Sequence, residues 1–391
     1  MNENKLIEII NEHGVDRPLV IIDHDKIRAN YKRFKTNLPR VQVYYAIKAN
    51  SEQPIIETLF KEGSSFDVAS ISEFLQVYSL IGNWGKQDTH FFIWDKLIFS
   101  NTIKPEETLK TLKKYKPLVT FDNIDELNKI KKFCDAAGLI LRINVPDTGS
   151  MVEMSGKFGA APGEAVSLIK SAIELGLGVE GLSFHVGSQC TNFNNYVDAF
   201  AIASNIFNDL DRKNIKIGRQ DNHNKILDIG GGFPTSYTDD VPAFEKLAEI
   251  INSEIDRLFK NSFEIIAEPG RFMVGDTATS IVRIQGRSRR EGKRFYYVND
   301  GVYHTFSGVV FDHFVYHFRV LSKDKNKGRI EVCTVAGPTC DSFDKISTSE
   351  QLPGELELND LLIADKVGAY TIASSTNFNG IPGAKVIHVN R

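Results

Sequence analysis

Cysteine is scarce in this sequence, and the few cysteines are widely spaced. The 391 residues include 4 of them, at positions 134, 190, 333 and 340, with no C-x-x-C pair. This spacing excludes a disulfide-stabilised scaffold, because such scaffolds need many cysteines close together in a short chain. We therefore expect a protein of a reducing compartment, and we predict no metal site.

Long hydrophobic runs and an excess of one charge are also absent. Residues 1–17 contain no signal-peptide core, and no apolar run reaches the roughly 20 residues that a membrane-spanning helix needs. The 47 basic and 50 acidic residues leave a net charge of −3, which gives no reason to expect nucleic acid or an anionic membrane as a partner. We expect a cytoplasmic globular protein.

Short apolar runs alternate with amphipathic segments through the first two thirds of the chain. The amphipathic segments place apolar residues three and four positions apart, which predicts helices. Eight such repeats in about 230 residues match a (β/α)8 barrel in number and size, although a doubly wound sheet would alternate in the same way. The predicted barrel strands are residues 41–48, 65–69, 96–100, 117–121, 139–145, 179–186, 225–229 and 263–268.

The pattern changes after Pro269, where strand-like runs follow one another without a long helix. We predict that residues 25–268 form the barrel, and that residues 1–24 and 269–391 form a β domain. The run at 18–24 is assigned to the β domain because it precedes the first barrel repeat. The other predicted strands of this domain are residues 279–286, 294–299, 309–320, 329–335, 360–367 and 384–389.

Polar and glycine-rich residues follow several predicted barrel strands. Lys48 ends the apolar run 41–47, and a buried ammonium is costly unless it is paired or used chemically. One such use is a Schiff base with pyridoxal 5'-phosphate (PLP), while the alternative is a lysine that begins a surface loop. Active sites of barrels lie at the C-terminal ends of the strands. Further candidates at such positions are Asp67, Arg142, His185, Ser188, Gly230, Gly231, Gly232, Glu268, Gly270 and Arg271.

The triple glycine and Arg271 suggest a phosphate site. Glycines let backbone N–H groups approach a phosphate closely, and Arg271 would add a charged donor, although a plain tight turn also explains the glycines. The G-x-G-x-x-G dinucleotide pattern is absent. Glu268 follows an apolar run, so a buried carboxylate there needs a cationic partner, either a protonated pyridine nitrogen or a basic side chain. His185 by itself fits a core histidine equally well.

Eight motifs together resemble the fold-III PLP-dependent decarboxylases that act on ornithine, lysine, arginine or diaminopimelate. The resemblance covers almost the whole chain, from about Pro18 to Val389, and it is strongest for members that act on ornithine. It implies a (β/α)8 barrel that binds PLP and a C-terminal all-β domain. The motifs are YYAIKAN, FDVAS, SFHVGSQC, LDIGGGFP, EPGRFMV, YYVNDGVY, GPTCDSFD and GAYT.

The resemblance also assigns residues to the cofactor. It implies that Lys48 carries PLP as a Schiff base, that His185 stacks on the pyridine face and that Glu268 binds the pyridine nitrogen. Asp67 and Arg142 match positions that line the cofactor site. The implied phosphate ligands are Ser188, Gly230, Gly231, Gly232, Arg271 and Tyr370, and Gly270 is a further cofactor-binding residue.

The implied reaction is decarboxylation of L-ornithine to putrescine and CO2 in a homodimer with shared active sites. A second subunit would supply Cys340, the acid that protonates the carbanion, and Asp341, which would bind the distal ammonium of the substrate together with Asp312. Lys157 and Asp344 would pair across the interface. The resemblance also places Phe311, Tyr303 and Phe378 at the substrate.

Three alternatives stay open. Lysine, or both lysine and ornithine, is the nearest alternative substrate, because one methylene in a flexible pocket changes the free energy by only about 1–3 kcal/mol. Arginine and diaminopimelate fit less well, since relatives acting on them tend to have Glu at position 312 or Cys-Glu-Ser at 340–342. The third alternative is a non-catalytic regulatory homologue, which the presence of Lys48, His185 and Cys340 argues against.

Overall fold

The strands form one closed barrel and one separate sheet in the computed structural model, which describes residues 1–219, 221–237, 241–260, 262–321 and 328–391. The chain divides into two units, which we call the barrel unit (Arg28–Met273) and the β unit (Met1–Ile27 and Val274–Arg391). In chain order the strands are β1 Leu19–Asp23, β2 Val41–Ala46, β3 Ser65–Val68, β4 Leu97–Phe99, β5 Leu118–Phe121, β6 Gly138–Arg142, β7 Gly178–Ser183, β8 Lys225–Asp228, β9 Phe263–Ala267, β10 Ala278–Arg290, β11 Lys293–Val298, β12 Phe318–Leu321, β13 Ile330–Ala336, β14 Lys345–Pro353, β15 Leu361–Asp365 and β16 Lys385–Val389.

Helices separate most of the barrel strands. Their apolar residues recur at helical spacing: α10, for example, buries Phe244, Leu247, Ile251 and Ile255 along one face. The helices are α1 Glu3–His13, α2 His24–Asn37, α3 Gln53–Lys61, α4 Ile71–Ile81, α5 Lys86–Lys96, α6 Glu106–Leu112, α7 Ile124–Phe133, α8 Ala165–Glu174, α9 Asn194–Arg212, α10 Phe244–Leu258, α11 Arg271–Val274 and α12 Gly308–Phe311. Among the described residues, no helix is both long and apolar enough to cross a lipid bilayer.

Strands β2 to β9 close into a parallel barrel in which β9 pairs back onto β2. Side chains from six of these strands form one buried cluster, so the barrel interior is a packed core rather than a pore. The predicted (β/α)8 barrel with a separate β domain is therefore confirmed. The members of the cluster are Tyr44, Ile98, Leu118, Ile140, Ile226 and Ile266.

The β unit contains a sheet in the order β12-β15-β10-β11-β13-β14, and β1 joins it from the other end of the chain. Strand β1 runs antiparallel to β10 and parallel to β16. Helix α1 packs its buried residues Leu6 and Ile9 against apolar residues of this sheet, including Ile21 and Ile281. The N-terminal segment is thus held by the C-terminal strands through burial of apolar surface.

Two details of the β unit differ from the sequence prediction. The predicted strand at 309–320 is wrong over its first part, because residues 308–311 form α12 and only residues 318–321 form β12. His313 adopts a left-handed φ of 51°, and the chain turns back so that Phe314 N donates to Gly308 O at 2.9 Å. Strand β14 was not predicted, because it is mostly polar and only Ile346, Glu350 and Leu352 are buried.

Candidate active site

The sequence-predicted residues of the barrel unit lie at the C-terminal ends of its strands. Lys48 sits in a short 3-10 turn directly after β2, Arg142 ends β6, and Glu268 follows β9. Asp67 lies on β3 beside Ala46 of β2. Since all barrel strands are parallel, their C-terminal ends form a single rim, and residues distant in sequence meet there.

Lys48 forms an ion pair with Asp67. The Lys48 side chain is 35% exposed, whereas Asp67 is fully buried. The other carboxylate oxygen of Asp67 accepts a hydrogen bond from the Ser100 hydroxyl, which follows β4. The carboxylate is therefore held on both sides, and the lysine amine stays accessible from the rim.

His185, two residues beyond β7, is a neutral imidazole. Its burial lowers its pKa well below the usual value, and the positive charges of Arg142 and Lys48 lower it further. Nδ1 accepts a hydrogen bond from Gly187 N at 3.0 Å, so the ring proton of the neutral form is on Nε2. The side chain is thus a planar, uncharged ring at the strand ends.

Glu268 and Asp228 form a buried pair of carboxyl groups. Burial raises the pKa of Glu268 well above its usual value, and the negative charges of Asp228 and Asp67 raise it further. Burial also raises the pKa of Asp228 to about 7, although the Gly230 N–H, which donates to it at 2.8 Å, acts in the opposite direction. Glu268 Oε1 is buried and has no hydrogen-bond partner among the described residues. A protonated ring nitrogen would supply the missing donor.

The glycine run and Arg271 form a polar cradle. Gly230 and Gly232 have positive φ angles of 64° and 96°, and a Cβ at Gly230 would lie 2.1 Å from Phe184 O, so only glycine fits there. Arg271 is 5% exposed, and its Nη2 donates to Ser188 Oγ at 3.2 Å. A guanidinium, a hydroxyl and an open glycine backbone together suit a phosphate.

A second group of predicted residues lies together in the β unit. The Tyr303 and Phe378 rings stack with centroids 4.4 Å apart, and the Tyr303 hydroxyl donates to Asp341. The Phe343 N–H and this hydroxyl lower the pKa of the Asp341 carboxyl. Cys340 is exposed, and its N–H donates to Asn379 Oδ1 at 3.1 Å.

The remaining predicted residues of the β unit differ in burial and in backbone conformation. Asp344 is buried and accepts hydrogen bonds from Val302 N at 2.9 Å and from the Thr339 hydroxyl at 2.7 Å. Asp312 is 7% exposed and Phe311 is 62% exposed. Tyr370 has a left-handed φ of 54°. The pairing of Lys157 with Asp344 across an interface stays a prediction.

Two residues of the site had no role assigned from the sequence, although Asp228 was among the polar residues noted at the predicted strand ends. Ser100 holds Asp67, and Asp228 bridges Glu268 and the glycine run. The sequence did mark Asp228 as a candidate site residue, because an acidic residue that ends an apolar strand shortly before three glycines is unusual. Nothing in the sequence marked Ser100, since a serine after a strand is common in turns.

The fold and these contacts define a barrel protein with a lysine, a carboxyl group and a polar cradle suited to an anion at one rim. Residues 24–275 match the model of the family described as pyridoxal-dependent decarboxylase, pyridoxal binding domain. The chain belongs to this family, and its cofactor is PLP.

Two relatives illustrate the range of the family. The chain is 33% identical over 368 residues to a lysine/ornithine decarboxylase of Selenomonas ruminantium, and the match covers 94% of this chain and 88% of that one. It is 34% identical over 398 residues to antizyme inhibitor 2 of Xenopus laevis, with 97% and 83% covered.

Solved structures show the same fold. A lysine/ornithine decarboxylase of Vibrio vulnificus, complexed with cadaverine, matches with a TM-score of 0.87 at 33% identity and covers 99% of this chain and 98% of that one. An arginine decarboxylase of Paramecium bursaria Chlorella virus, bound to agmatine, matches with a TM-score of 0.89 at 27% identity, covering 99% and 100%. Family membership is therefore clear, whereas the relatives named as decarboxylases differ in the basic amino acid in their names.

The raised pKa of Asp228 predicts how the cofactor-free protein responds to pH. A carboxyl whose pKa is higher in the folded state binds more protons there, so the free energy of unfolding falls as pH rises from about 4 to about 7. Asp228→Asn removes the titrating group and should make the thermal midpoint of the apoprotein less dependent on pH over this range. Asp198→Asn, at an exposed position of α9, is the control. An equally steep pH dependence in Asp228→Asn and wild type would contradict the buried pair.

Proposed function

We propose that the protein catalyses the PLP-dependent decarboxylation of L-ornithine to putrescine and CO2. The observation that carries the proposal is Glu268, whose buried Oε1 has no hydrogen-bond donor among the described residues and belongs to the same rim as Lys48 and the phosphate cradle. A buried carboxyl oxygen without a donor is costly in a protein that binds nothing there. A protonated ring nitrogen of bound PLP would supply this donor.

The residues of the rim fit the separate parts of PLP. Lys48 would hold its aldehyde carbon covalently, Arg271 and Ser188 would bind its phosphate with the glycine backbone, and His185 would cover the ring face. Tyr370 of the β unit is a further proposed phosphate ligand. When bound, PLP accepts the electron pair that remains on the substrate as CO2 leaves.

The charges of the chain's own residues explain how these residues would support bound PLP. Burial and the nearby carboxylates of Asp228 and Asp67 raise the pKa of Glu268 and so favour its protonated form. A positively charged ring nitrogen would favour the carboxylate, which then accepts a hydrogen bond and keeps that nitrogen protonated. His185 is uncharged and therefore does not oppose the positive ring. Asp67 stabilises the Lys48 ammonium when the amine is free.

The proposed substrate follows from two carboxylates of the β unit. Asp341 keeps its negative charge because two donors lower its pKa, and Asp312 is the second carboxylate. Together they would pair with the distal ammonium of a diamino acid and select it over a neutral amino acid. Tyr303, Phe378 and Phe311 would line this end of the substrate.

We further propose that these groups act across a homodimer interface in a cytoplasmic enzyme. Cys340 of the second subunit would protonate the substrate carbon after CO2 leaves, and Lys157 would pair with Asp344 of that subunit. Two-fold symmetry would then build two equivalent sites, each from both chains. Lysine as an additional substrate is the main alternative, supported by the lysine/ornithine decarboxylases among the relatives.

The substrate proposal is tested by measuring CO2 release from ornithine, lysine, arginine and diaminopimelate. Ornithine should give the highest kcat/KM, with lysine lower by about 10- to 100-fold, because one methylene contributes about 1–3 kcal/mol. Equal rates with both would establish a dual-specificity enzyme. No CO2 from any substrate, in protein with bound PLP, would favour a regulatory homologue similar to the antizyme inhibitor.

The role of Glu268 is tested by Glu268→Gln. The amide keeps the shape of the side chain but cannot balance a positive ring nitrogen, so kcat should fall by about 100-fold or more while the PLP absorbance is retained. Glu249→Gln, at an exposed position of α10, is a control that should keep most of the activity. A near-normal kcat for Glu268→Gln would refute the proposed contact with the ring nitrogen.

Shared active sites are tested by mixing Lys48→Ala with Cys340→Ala, each nearly inactive alone. Random pairing puts about half of the chains into mixed dimers, and each mixed dimer has one intact site and one doubly defective site. About a quarter of wild-type activity should therefore return. If subunits exchange, as judged with tagged chains, and no activity returns, then each site is built from a single chain.

A further inference from the structure

A cleft of about 970 Å³ opens in the barrel unit, away from the candidate active site. Its walls come from the C-terminal part of α4, from α5 and from the segment that precedes β5. Because α5 leads into β4, these elements lie at the N-terminal ends of the strands, whereas the proposed PLP site lies at their C-terminal ends. The volume falls in the range of about 300–1,000 Å³ that is typical of small-molecule sites.

Aromatic side chains form much of the wall, namely Tyr78, Trp84, Phe91, Trp94 and Tyr115. Phe91 is 62% and Trp84 is 43% exposed, which is a large aromatic surface to leave in water. The deeper rings are fixed: Tyr115 packs against Tyr78 at 5.0 Å, and the Arg219 guanidinium lies 4.5 Å from the Trp94 ring. Rings held in this way offer flat surfaces on which a planar ligand can stack.

The charged residues of the cleft are all of one sign. Lys86, Lys114 and Lys116 line it, and no carboxylate is among its described lining residues. None of the three lysines forms an ion pair with a described residue, whereas Lys113, which does not line the cleft, pairs with Asp135 at 3.3 Å. Lysines that converge without a counter-ion create a positive potential, so the cleft favours an anion.

We propose that this cleft is a second ligand site, which binds a nucleoside triphosphate. The aromatic wall would stack the base, and the lysines would bind the phosphates. A simple anion would leave the rings exposed, and an uncharged aromatic compound would leave the lysine charges without a counter-ion, so a ligand with both parts fits best. This site is independent of the proposed decarboxylase activity, because it shares no residue with the rim.

The sequence provides an internal probe for the test. The chain has 2 tryptophans, and both line the cleft. ATP, titrated without Mg²⁺ into the PLP-loaded enzyme, should quench the tryptophan fluorescence saturably, with a Kd between about 10 μM and 1 mM. GTP should bind within a few-fold of ATP, because stacking tolerates different bases. Adenosine and inorganic triphosphate should each bind at least about tenfold more weakly, since each lacks half of the contacts.

Matched variants locate the site. Lys114→Glu combined with Lys116→Glu should raise the Kd for ATP at least about tenfold, whereas Lys113→Glu in the same segment should leave it within about twofold. Phe91→Ala should weaken ATP but not inorganic triphosphate. Circular dichroism and PLP content would establish that each variant is folded.

Four results would overturn the proposal. The first is the absence of saturable quenching up to about 5 mM ATP, and the second is equal affinity for ATP and inorganic triphosphate. The third is an equal effect of Lys113→Glu and of the double variant on the Kd for ATP. The fourth is a Kd that rises with protein concentration. The second and third would identify a general anionic attraction without stacking. The last would show that another copy of the chain covers this face.

Discussion

Closure of the parallel barrel is the constraint on which the candidate site depends. All eight strands point the same way, so Lys48, Arg142 and Glu268 reach one rim although more than half of the chain separates the first from the last. The packed interior below the rim keeps water out, and its low polarity strengthens every interaction between the charges above it. The protonation state of each group at the rim therefore depends on its neighbours.

Burial, and after it the charge balance at this rim, explain the raised pKa values of Glu268 and Asp228. Asp67, Asp228 and Glu268 provide three carboxyl groups, while Lys48 and Arg142 are the cations that act on Glu268. Three buried negative charges against two positive charges are unfavourable, so one carboxyl retains a proton. In the proposed contacts, the cationic ring nitrogen of PLP would lie against the carboxyl, and its phosphate would lie against Arg271 and the glycine run. Such a ligand would match the charge of the site at both ends.

Most of the barrel was predictable from sequence because its strands are buried on both faces and its helices bury one face, which gives clear periodic patterns. The β unit was less predictable. Strand β14 carries polar residues and is specified by its pairing with β13, and the apolar run at 309–311 forms a helical turn because the chain reverses at His313. Local sequence does not encode such long-range pairing. For the same reason, the hydrogen bond from Ser100 to Asp67 could be recognised only from the structure, in which β3 pairs with β4.

The two groups of carboxylates in this chain are tuned in opposite directions, and their surroundings explain why. Glu268 and Asp228 are buried beside other acids, so their pKa values rise. Asp341 receives hydrogen bonds from the Phe343 N–H and the Tyr303 hydroxyl, so its pKa falls. A carboxylate that must attract an ammonium from water needs to be charged before the ligand arrives. A carboxyl group that binds a ring nitrogen able to gain or lose a proton benefits instead from a raised pKa. The positive charge of the ring then lowers the pKa of the carboxyl, so the carboxyl ionises as the ring binds.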